Sequence, residues 1–206
     1  MTGRRAAEAR LLEPAIGYAL DAIQAVTPDL MPRATPCRGW DLRMLLRHVS
    51  ESLAALCEGA CGGRVDLGPA AEDATADPVR TFRDRAGLLL GAWTSTTGPP
   101  EVIAIADRCL PHGIMAAVGA LEIAVHGWDV SQACGHCRPI PPLLAADLLE
   151  VAPLLVPALG RHPLFAAPVA VAPMAGPSDR LAAFLGRSAA VRGRESHPGP
   201  RQPDPR

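Results

Sequence analysis

The sequence predicts an all-α protein, a helical bundle with short extra elements near its C-terminus. Three observations support this class. Apolar residues recur at helical spacing in several separate segments. Strand-like alternation is almost absent, and proline-rich or small-residue connections separate the helical segments. The 206 residues, 49% hydrophobic, suffice for one domain, which we place at residues 8–186. The Pro- and Arg-rich tail, residues 187–206, is expected to be disordered.

The first helix is predicted at residues 8–26. Leu12, Ile16 and Ile23 fall on one face of this segment at helical spacing. Pro14 is expected within the first turns, where a missing backbone N–H is tolerated. This face therefore supplies part of the core.

The second helix has a clear start signal. Three prolines in residues 27–38 indicate a loop before it. Asp41 can cap the helix, and Trp40 and Leu45 stand at the positions of a hydrophobic staple around that cap. The apolar pattern continues to about Cys57, so the second helix should end near that residue.

The third helix also has a start signal, since Asp77 is followed by Pro78 at the first helical position. Small residues at 59–76 predict a loop before it. Its apolar face comprises Val79, Phe82, Ala86, Leu89 and Trp93. In the connector that follows, residues 102–105 (VIAI) fit either a short strand or packed coil.

Three further helices are predicted. The fourth spans residues 112–133, and Gly135 is placed to end it. The fifth spans residues 142–159. A short helix at residues 178–185 follows a stretch interrupted by prolines.

Composition excludes several function classes. All basic residues are arginine, so Schiff-base chemistry, pyridoxal-phosphate attachment and the phosphate-loop lysine are excluded. The formal net charge of −1 provides no sequence-wide positive field, so we expect no nucleic-acid partner.

The chain is expected to be cytoplasmic and to have no membrane partner. Charged residues follow Arg4 and Arg5 too closely for a signal peptide, and prolines break the longest uncharged stretch. The chain has six cysteines, which we expect to be free thiols.

The fourth helix carries ionisable residues on an apolar face. At about 100° per residue, His126 lies roughly 40° from Glu122, and Asp129 roughly 20° on the other side. Met115 and Val118, expected in the core, share this arc. Burying unpaired charge costs several kcal/mol, so the arc needs an internal partner such as a metal, an arginine or a water-filled pocket.

His48 on the second helix offers the complement. It lies beyond the edge of that helix's apolar stripe, among small neighbours, and is expected to face a cavity between helices. Together with Glu122 and His126 it would supply three ligands and leave an open position, as in catalytic zinc sites and several iron or nickel sites. The alternative is that Glu122 and His126 form an ordinary i,i+4 pair, with Arg43 or Arg47 nearby.

Three segments resemble a known family. Residues 35–49 (TPCRGWDLRMLLRHV) and 122–130 (EIAVHGWDV) resemble the two signatures of the actinobacterial mycothiol-dependent maleylpyruvate isomerase N-terminal domain, part of the DinB-like superfamily. Residues 179–187 (DRLAAFLGR) are similar to the ending of its short, single-domain, metal-binding branch.

The resemblance implies a DinB-like four-helix bundle that binds a divalent metal, usually zinc, through His48, Glu122 and His126. Ni²⁺ or Fe²⁺ are alternatives. The isomerase itself has an additional C-terminal domain that contributes to its active site, and the residues after Leu159 are too few to form it. Maleylpyruvate isomerisation is therefore not expected, and the substrate stays open.

The function suggested by the resemblance is a metal-dependent thiol transferase or isomerase. The metal would lower the pKa of a thiol, with mycothiol as cosubstrate, and the thiolate would attack a small electrophile. Asp129 would either support a ligand or handle protons, or simply hydrogen-bond within the bundle. The alternatives are a non-catalytic metal or small-molecule binding protein, and a thiol-independent cyclase or lyase.

Three other features are given structural interpretations. Trp40 and Trp128 are expected to pack rather than to bind substrate. Cys134 and Cys137 form a Cys-x-x-Cys pair just past a helix end, which we interpret as an incidental loop because a structural zinc site needs two more ligands. Homodimers are common among similar bundles, but no interface stripe is visible in the sequence.

Overall fold

The computed structural model describes residues 2–66, 77–95, 100–157, 159–161 and 165–188. Residues 189–206, most of the expected tail, lie outside the described residues. The all-α class is confirmed, with a small three-stranded sheet added. The elements are α1 (Thr2–Ile23), α2 (Leu42–Gly62), β1 (Arg64–Val65), α3 (Pro78–Thr94), β2 (Val102–Ile105), β3 (Arg108–Pro111), α4 (His112–Ala133), α5 (Pro142–Leu155) and α6 (Pro177–Phe184).

Helices α1 to α4 form the bundle. Helix α1 packs mainly along α4, and α2 packs against both α3 and α4. Helices α5 and α6 pack on each other, and α5 also contacts α4 and α1. The largest fully buried side chains come from every helix of the bundle, from strand β2 and from the connector before α5, and they are Phe82, Leu12, Ile16, Ile23, Leu42, Leu45, Leu46, Leu53, Leu89, Ile103, Ile123 and Ile140.

Helix α1 begins at Thr2, earlier than the predicted start at residue 8. Pro14 therefore lies inside the helix rather than in its first turns. A proline there leaves the carbonyl of residue 10 without an intrahelical donor. The apolar pattern begins only near Leu11, so the sequence carries no signal for the additional turns.

The two predicted caps are confirmed. The Asp41 carboxylate accepts a hydrogen bond from the backbone N–H of Met44 at 2.8 Å, and α2 starts directly after it. The Asp77 carboxylate accepts from the N–H of Val79 at 3.0 Å, with Pro78 at the start of α3. Helix α2 extends five residues beyond the predicted end and stops at Gly63, whose φ of 66° is the left-handed conformation that glycine adopts at low cost.

The segment at residues 102–105 is a strand, which decides between the two sequence-based alternatives. Strand β2 pairs in parallel with β1 and antiparallel with β3. Ile105 faces Arg108 across the β2–β3 hairpin, so its turn is only two residues long. The first of these residues, Ala106, has a φ of 52°, which is unfavourable for a residue with a Cβ.

Helix α4 runs through the centre of the bundle. It matches the predicted span, and Gly135, with a φ of 79°, follows its end as expected. By length and composition alone α4 could cross a membrane, but 72% of its most apolar window is buried inside this protein. Gly127 gives α1 room to approach closely, since a Cβ there would lie 3.1 Å from the Cα of Ala19.

The C-terminal elements differ slightly from the prediction. Helix α5 ends at Leu155, four residues early, because Val156 precedes a proline and adopts an extended conformation. Helix α6 begins and ends one residue before its predicted bounds. The buried Ser178 hydroxyl accepts a hydrogen bond from the Ile140 N–H at 2.9 Å, which ties α6 to the start of α5.

Candidate metal centre

Helices α2 and α4 bring three predicted ligands together. The Nε2 atom of His48 lies 2.6 Å from Oε1 of Glu122. The Nε2 atom of His126 lies 3.2 Å from the same oxygen. The three candidate ligand atoms all lie within 4.8 Å of one another. Because Glu122 and His126 are one turn apart on α4, a single packing contact between α2 and α4 assembles the group.

The three candidate ligands differ in their exposure to solvent. The His126 side chain is 8% exposed, whereas those of Glu122 and His48 are 29% and 36% exposed. The exposed side opens into a cavity of about 1120 Å³. His48 thus faces a cavity between helices, as its position on α2 predicted.

The cavity has a polar end and largely apolar walls. Cys37, Arg38 and Arg187 join the three candidate ligands at its polar parts. The walls come from α4, the end of α5 and the C-terminal segment. The apolar side chains of these walls are Val118, Leu121, Val125, Leu155, Val156, Phe165 and Leu185.

Val118 differs from the prediction. It was expected in the core, but it is 45% exposed and lines the cavity. The face of α4 that carries Glu122, His126 and Asp129 therefore borders the core in part and the cavity in part. The Nε atom of Arg47 lies 3.4 Å from Oε1 of Glu51. Both candidate histidines contact Oε1 of Glu122, and the Ser52 hydroxyl donates to it at 3.4 Å.

Asp129 supports His126 from behind. Oδ2 of Asp129 lies 2.9 Å from Nδ1 of His126, and the carboxylate is completely buried. Nδ1 donates to a carboxylate here, so Nε2 is the nitrogen that faces Glu122 and His48 and would bind a metal after losing its own proton. Of the two roles considered for Asp129, the geometry matches support of a ligand.

Arg187 neutralises the buried Asp129 carboxylate. Its Nε and Nη2 atoms donate to Oδ1 and Oδ2 of Asp129 at 3.0 and 2.9 Å, and its side chain is only 12% exposed. The expected disordered tail started at Arg187, and that boundary needs correction because Arg187 is part of the site. No local sequence pattern indicates the contact between Arg187 and Asp129, since 58 residues separate them.

Cys37 is the other neighbour that the sequence did not indicate. Its Sγ donates to Oδ2 of Asp129 at 3.2 Å and lies 3.8 Å from Nδ1 of His126. These three side chains also satisfy the spacing of a metal-binding group. They are a poor cation site, because the Arg187 guanidinium already occupies the Asp129 carboxylate and lies 3.5 Å from the sulfur.

The pKa values of the ligands follow from these contacts. Burial alone would raise the pKa of Glu122, but hydrogen bonds to His126 and His48 and their charge outweigh it, so this pKa lies well below its usual range. Burial alone would lower the pKa of His126, but hydrogen bonds to Asp129, Cys37 and Glu122 raise it well above its ordinary value. The pocket thus favours positive charge beside the Glu122 carboxylate.

These residues fit a divalent metal. Two imidazole nitrogens and a carboxylate oxygen are the ligands of many open zinc sites. In a tetrahedral site with ligand distances near 2.05 Å, neighbouring ligand atoms are about 3.3 Å apart. The nitrogen-to-oxygen distances of 2.6 and 3.2 Å are close to this value, so small side-chain movements suffice.

The two tryptophans have different surroundings. Trp128 is 2% exposed and packs in the core, as expected. Trp40 packs only partly, since it also lines the cavity. Its ring centroid lies 4.8 Å from that of His48 and 6.5 Å from that of His126. Trp40 therefore restricts both histidine rings from the cavity side.

The Cys-x-x-Cys segment lies outside this site. Cys134 is buried and Cys137 is exposed, both as free thiols. Among the described residues, neither takes part in a group of three or more side chains spaced for a metal. The incidental-loop interpretation stays a prediction.

Comparison with known proteins identifies the family of the chain. A family model described as the mycothiol maleylpyruvate isomerase N-terminal domain matches residues 12–131, more than half of the chain. The chain belongs to this family. The family is part of the DinB-like superfamily, in agreement with the helical fold. The matched region contains all three candidate ligands and ends before Arg187.

Two relatives are uncharacterized proteins of Mycobacterium tuberculosis, from strains CDC 1551 / Oshkosh and ATCC 25618 / H37Rv. Each is 27% identical to the chain over 175 residues, which cover 79% of this chain and 88% of the relative. No solved structure matches the chain. The similarity of the relatives extends beyond the family domain but carries no activity with it.

Proposed function

We propose that this protein is a metal-dependent enzyme that joins a low-molecular-weight thiol, mycothiol, to a small electrophile, as a transferase or an isomerase. The observation that carries the proposal is the convergence of His48, Glu122 and His126 on one point at the wall of a cavity. The metal is proposed to be zinc, because two histidines and a carboxylate with an open position form a common catalytic zinc site.

The chemistry needs a thiolate at neutral pH. A divalent cation bound to these residues would lower the pKa of a thiol that coordinates it. Asp129 accepts the Nδ1 proton of His126, so Nε2 would be the metal-binding atom once a metal displaces its proton. Trp40 restrains both imidazole rings through ring contacts. The protein thus provides preoriented ligands and leaves the cavity side of the site open.

The cavity suits the second substrate. Its volume of about 1120 Å³ is sufficient for a thiol and an electrophile together. The walls are apolar beside a polar end, so an electrophile with an apolar body would lie along Val118 and Leu155 with its reactive carbon towards Glu122. The thiol sulfur would form a bond to that carbon, the leaving group would depart with its electron pair, and the thiol proton would pass to solvent.

We also propose a cytoplasmic location and small-molecule partners. All six cysteines are free thiols, which is the usual state in a reducing compartment. The arginines near the site are engaged with or adjacent to the cavity rather than grouped into a basic surface. Neither nucleic acid nor membrane is included among the proposed partners.

Turnover with a model electrophile tests the proposal. Zinc-loaded protein is mixed with mycothiol and monobromobimane, and the fluorescent thioether is followed as bromide leaves. We expect a rate above the uncatalysed reaction that depends on both thiol and metal and is lost in His48→Ala. The matched control is His136→Ala, since His136 is exposed and is not a member of the group of candidate ligands.

The alternatives give different results in the same assay. Tight zinc binding without turnover on a panel of electrophiles would indicate a non-catalytic binding protein. Metal-dependent turnover of the electrophile without thiol would indicate a lyase or cyclase that uses the metal as a Lewis acid. Unchanged turnover in His48→Ala would contradict the proposed site itself.

A further inference from the structure

Among the groups at the site that have no assigned role, Arg187 makes the most extensive side-chain contacts. It donates to both oxygens of Asp129, to the Sγ of Cys37 and to the backbone carbonyl of Leu185. It lies 56 residues beyond the end of the family-model match at residue 131. The site therefore includes a side chain, that of Arg187, from outside the region that the family model matches.

The local sequence explains why Arg187 reaches the site. Helix α6 ends in a Schellman motif, in which the Arg187 N–H donates to Ala182 O at 2.9 Å and the Gly186 N–H donates to Ala183 O at 3.0 Å. Gly186 has a φ of 79°, as this motif requires. The turn redirects the chain, so that residue 187 returns to the cavity.

Gly186 is also required for steric reasons. A Cβ at this position would lie 2.7 Å from the Cβ of Ala166 and 2.8 Å from its carbonyl oxygen. Both the backbone conformation and this close approach hold the segment in one place. Arg187 thus approaches Asp129 from a fixed backbone rather than from a loose tail.

We propose that Arg187 is a positioning residue of the metal centre, acting through Asp129 on His126. The bidentate contact fixes the plane of the Asp129 carboxylate, so that Oδ2 faces Nδ1 of His126 and holds the proton there. Nε2 then remains directed at Glu122 and His48, where it would bind the metal. This inference rests on the proposed function only in that it concerns the same metal site.

The burial of Asp129 makes this role necessary. Its side chain is 0% exposed, so water cannot replace a missing partner. Without the guanidinium, the carboxylate would keep only the contacts to His126 and Cys37, both through Oδ2. Oδ1 would have no donor among the described side-chain contacts. The carboxylate could then turn, and the orientation of His126 would no longer be fixed.

A simpler role must be separated from this one. Residues 185–188 also line the cavity, so Arg187 could do no more than hold that wall in place. A purely structural anchor would change the unfolding temperature but not the affinity of the folded protein for a metal. Arg161 provides the matched control, since it is 8% exposed and donates to Phe184 O at 2.6 Å rather than to Asp129.

The experiment measures the zinc Kd by competition with a chromophoric chelator. We expect Arg187→Met to weaken zinc binding about 10- to 100-fold, as is typical for loss of a group that orients a metal ligand. Arg187→Lys should recover part of the affinity, because it restores the charge but not the two parallel hydrogen bonds. Arg161→Met should lower the unfolding temperature and leave the zinc Kd unchanged.

A double-mutant cycle tests whether the effect passes through Asp129. In an Asp129→Asn background, Arg187→Met should change the zinc Kd by less than about twofold. An effect as large as in the native background would overturn the proposal, because Arg187 would then act by another route. An unchanged Kd in Arg187→Met alone would overturn it as well.

A metal-free measurement keeps this inference distinct from the proposed function. The Nδ1 proton of His126, hydrogen-bonded to a buried carboxylate, should give a slowly exchanging ring signal in ¹⁵N-labelled metal-free protein. The signal should be lost or exchange faster in Arg187→Met but persist in Arg161→Met. If the native protein binds no zinc, the proposed function fails, and the ring signal alone decides whether Arg187 positions His126.

Discussion

His126 and Asp129 lie one turn apart on α4, and their side chains meet through a 2.9 Å contact between Nδ1 and Oδ2. The same helix thus carries a candidate ligand and the group that orients it. Because Asp129 is completely buried, it needs the charge of Arg187 on its other side. A chain of contacts therefore runs from the C-terminal segment through Asp129 and His126 to Glu122.

Removal of one partner from the buried pair should be more harmful than removal of both. Asp129→Asn leaves the Arg187 guanidinium without a counter-ion and should reduce the free energy of unfolding by about 3 kcal/mol. The double variant Asp129→Asn with Arg187→Met has no unpaired charge, so it should be more stable than Asp129→Asn alone. Urea denaturation of the metal-free proteins measures both values. A double variant less stable than Asp129→Asn would contradict this account.

Loss of any candidate ligand should abolish tight metal binding. We expect His48→Ala, Glu122→Ala and His126→Ala each to raise the zinc Kd by more than about 100-fold, since loss of a supporting group alone costs 10- to 100-fold. Isothermal titration of the metal-stripped proteins checks this prediction. His136→Ala is the control, because His136 is exposed. Native affinity in two of the three ligand variants would exclude the proposed site.

Metal binding should weaken as the pH falls. A metal and a proton compete for Nε2 of His126, whose pKa is raised above its ordinary value although burial alone would lower it, because hydrogen bonds to Asp129, Cys37 and Glu122 outweigh burial. The proton therefore already competes near neutral pH. The pKa of Glu122 is lowered, so this carboxylate stays ionised and adds no pH dependence in that range.

The expected slope is an increase in log Kd of about one for each unit decrease in pH below neutrality, because the His126 imidazole must lose its proton to bind the metal. Zinc titrations between about pH 5.5 and 8 measure it. The His126→Ala variant supplies the comparison, because its residual binding should depend less on pH. A Kd independent of pH over this range would show that the imidazoles do not bind the metal.

Much of the fold and part of the site followed from local sequence signals. The caps Asp41 and Asp77 were visible because each acts on the residues directly after it. The convergence of Glu122 and His126 was visible because helical spacing fixes which side chains share a face. His48 could be added because its position on α2 is exposed to the same side. Each of these inferences needs only one helix and its period.

The rest depended on contacts between distant segments. Cys37 belongs to a loop, and 92 residues separate it from Asp129. Arg187 reaches the site only because the chain turns at Gly186. The amino-acid composition of the tail does not reveal that turn. Val118 lines a cavity together with the end of α5 and the C-terminal segment, and neither neighbour is visible from the period of α4. Helical periodicity gives the direction of a side chain but not what lies opposite.

The contact between α1 and α4 should depend on the small size of Gly127. A Cβ at Gly127 would lie 3.1 Å from both the Cα and the Cβ of Ala19 and cannot be relieved by a flexible side chain. We expect Gly127→Ala to lower the free energy of unfolding by about 1–3 kcal/mol. Gly17→Ala is the matched control in α1, since nothing lies within 4 Å of its added Cβ. This control should raise stability by about 0.5–1 kcal/mol.

The Cys-x-x-Cys segment should contribute nothing to metal binding. Cys134 is buried directly after the end of α4, and Cys137 is exposed with a φ of 46°. The two thiols therefore belong to the turn after α4 and not to the group of candidate ligands. The double variant Cys134→Ser with Cys137→Ser should therefore retain the zinc stoichiometry of the native protein. Metal analysis after gel filtration checks this expectation. A fall in stoichiometry that leaves binding at His48 intact would reveal a second zinc site that these cysteines hold.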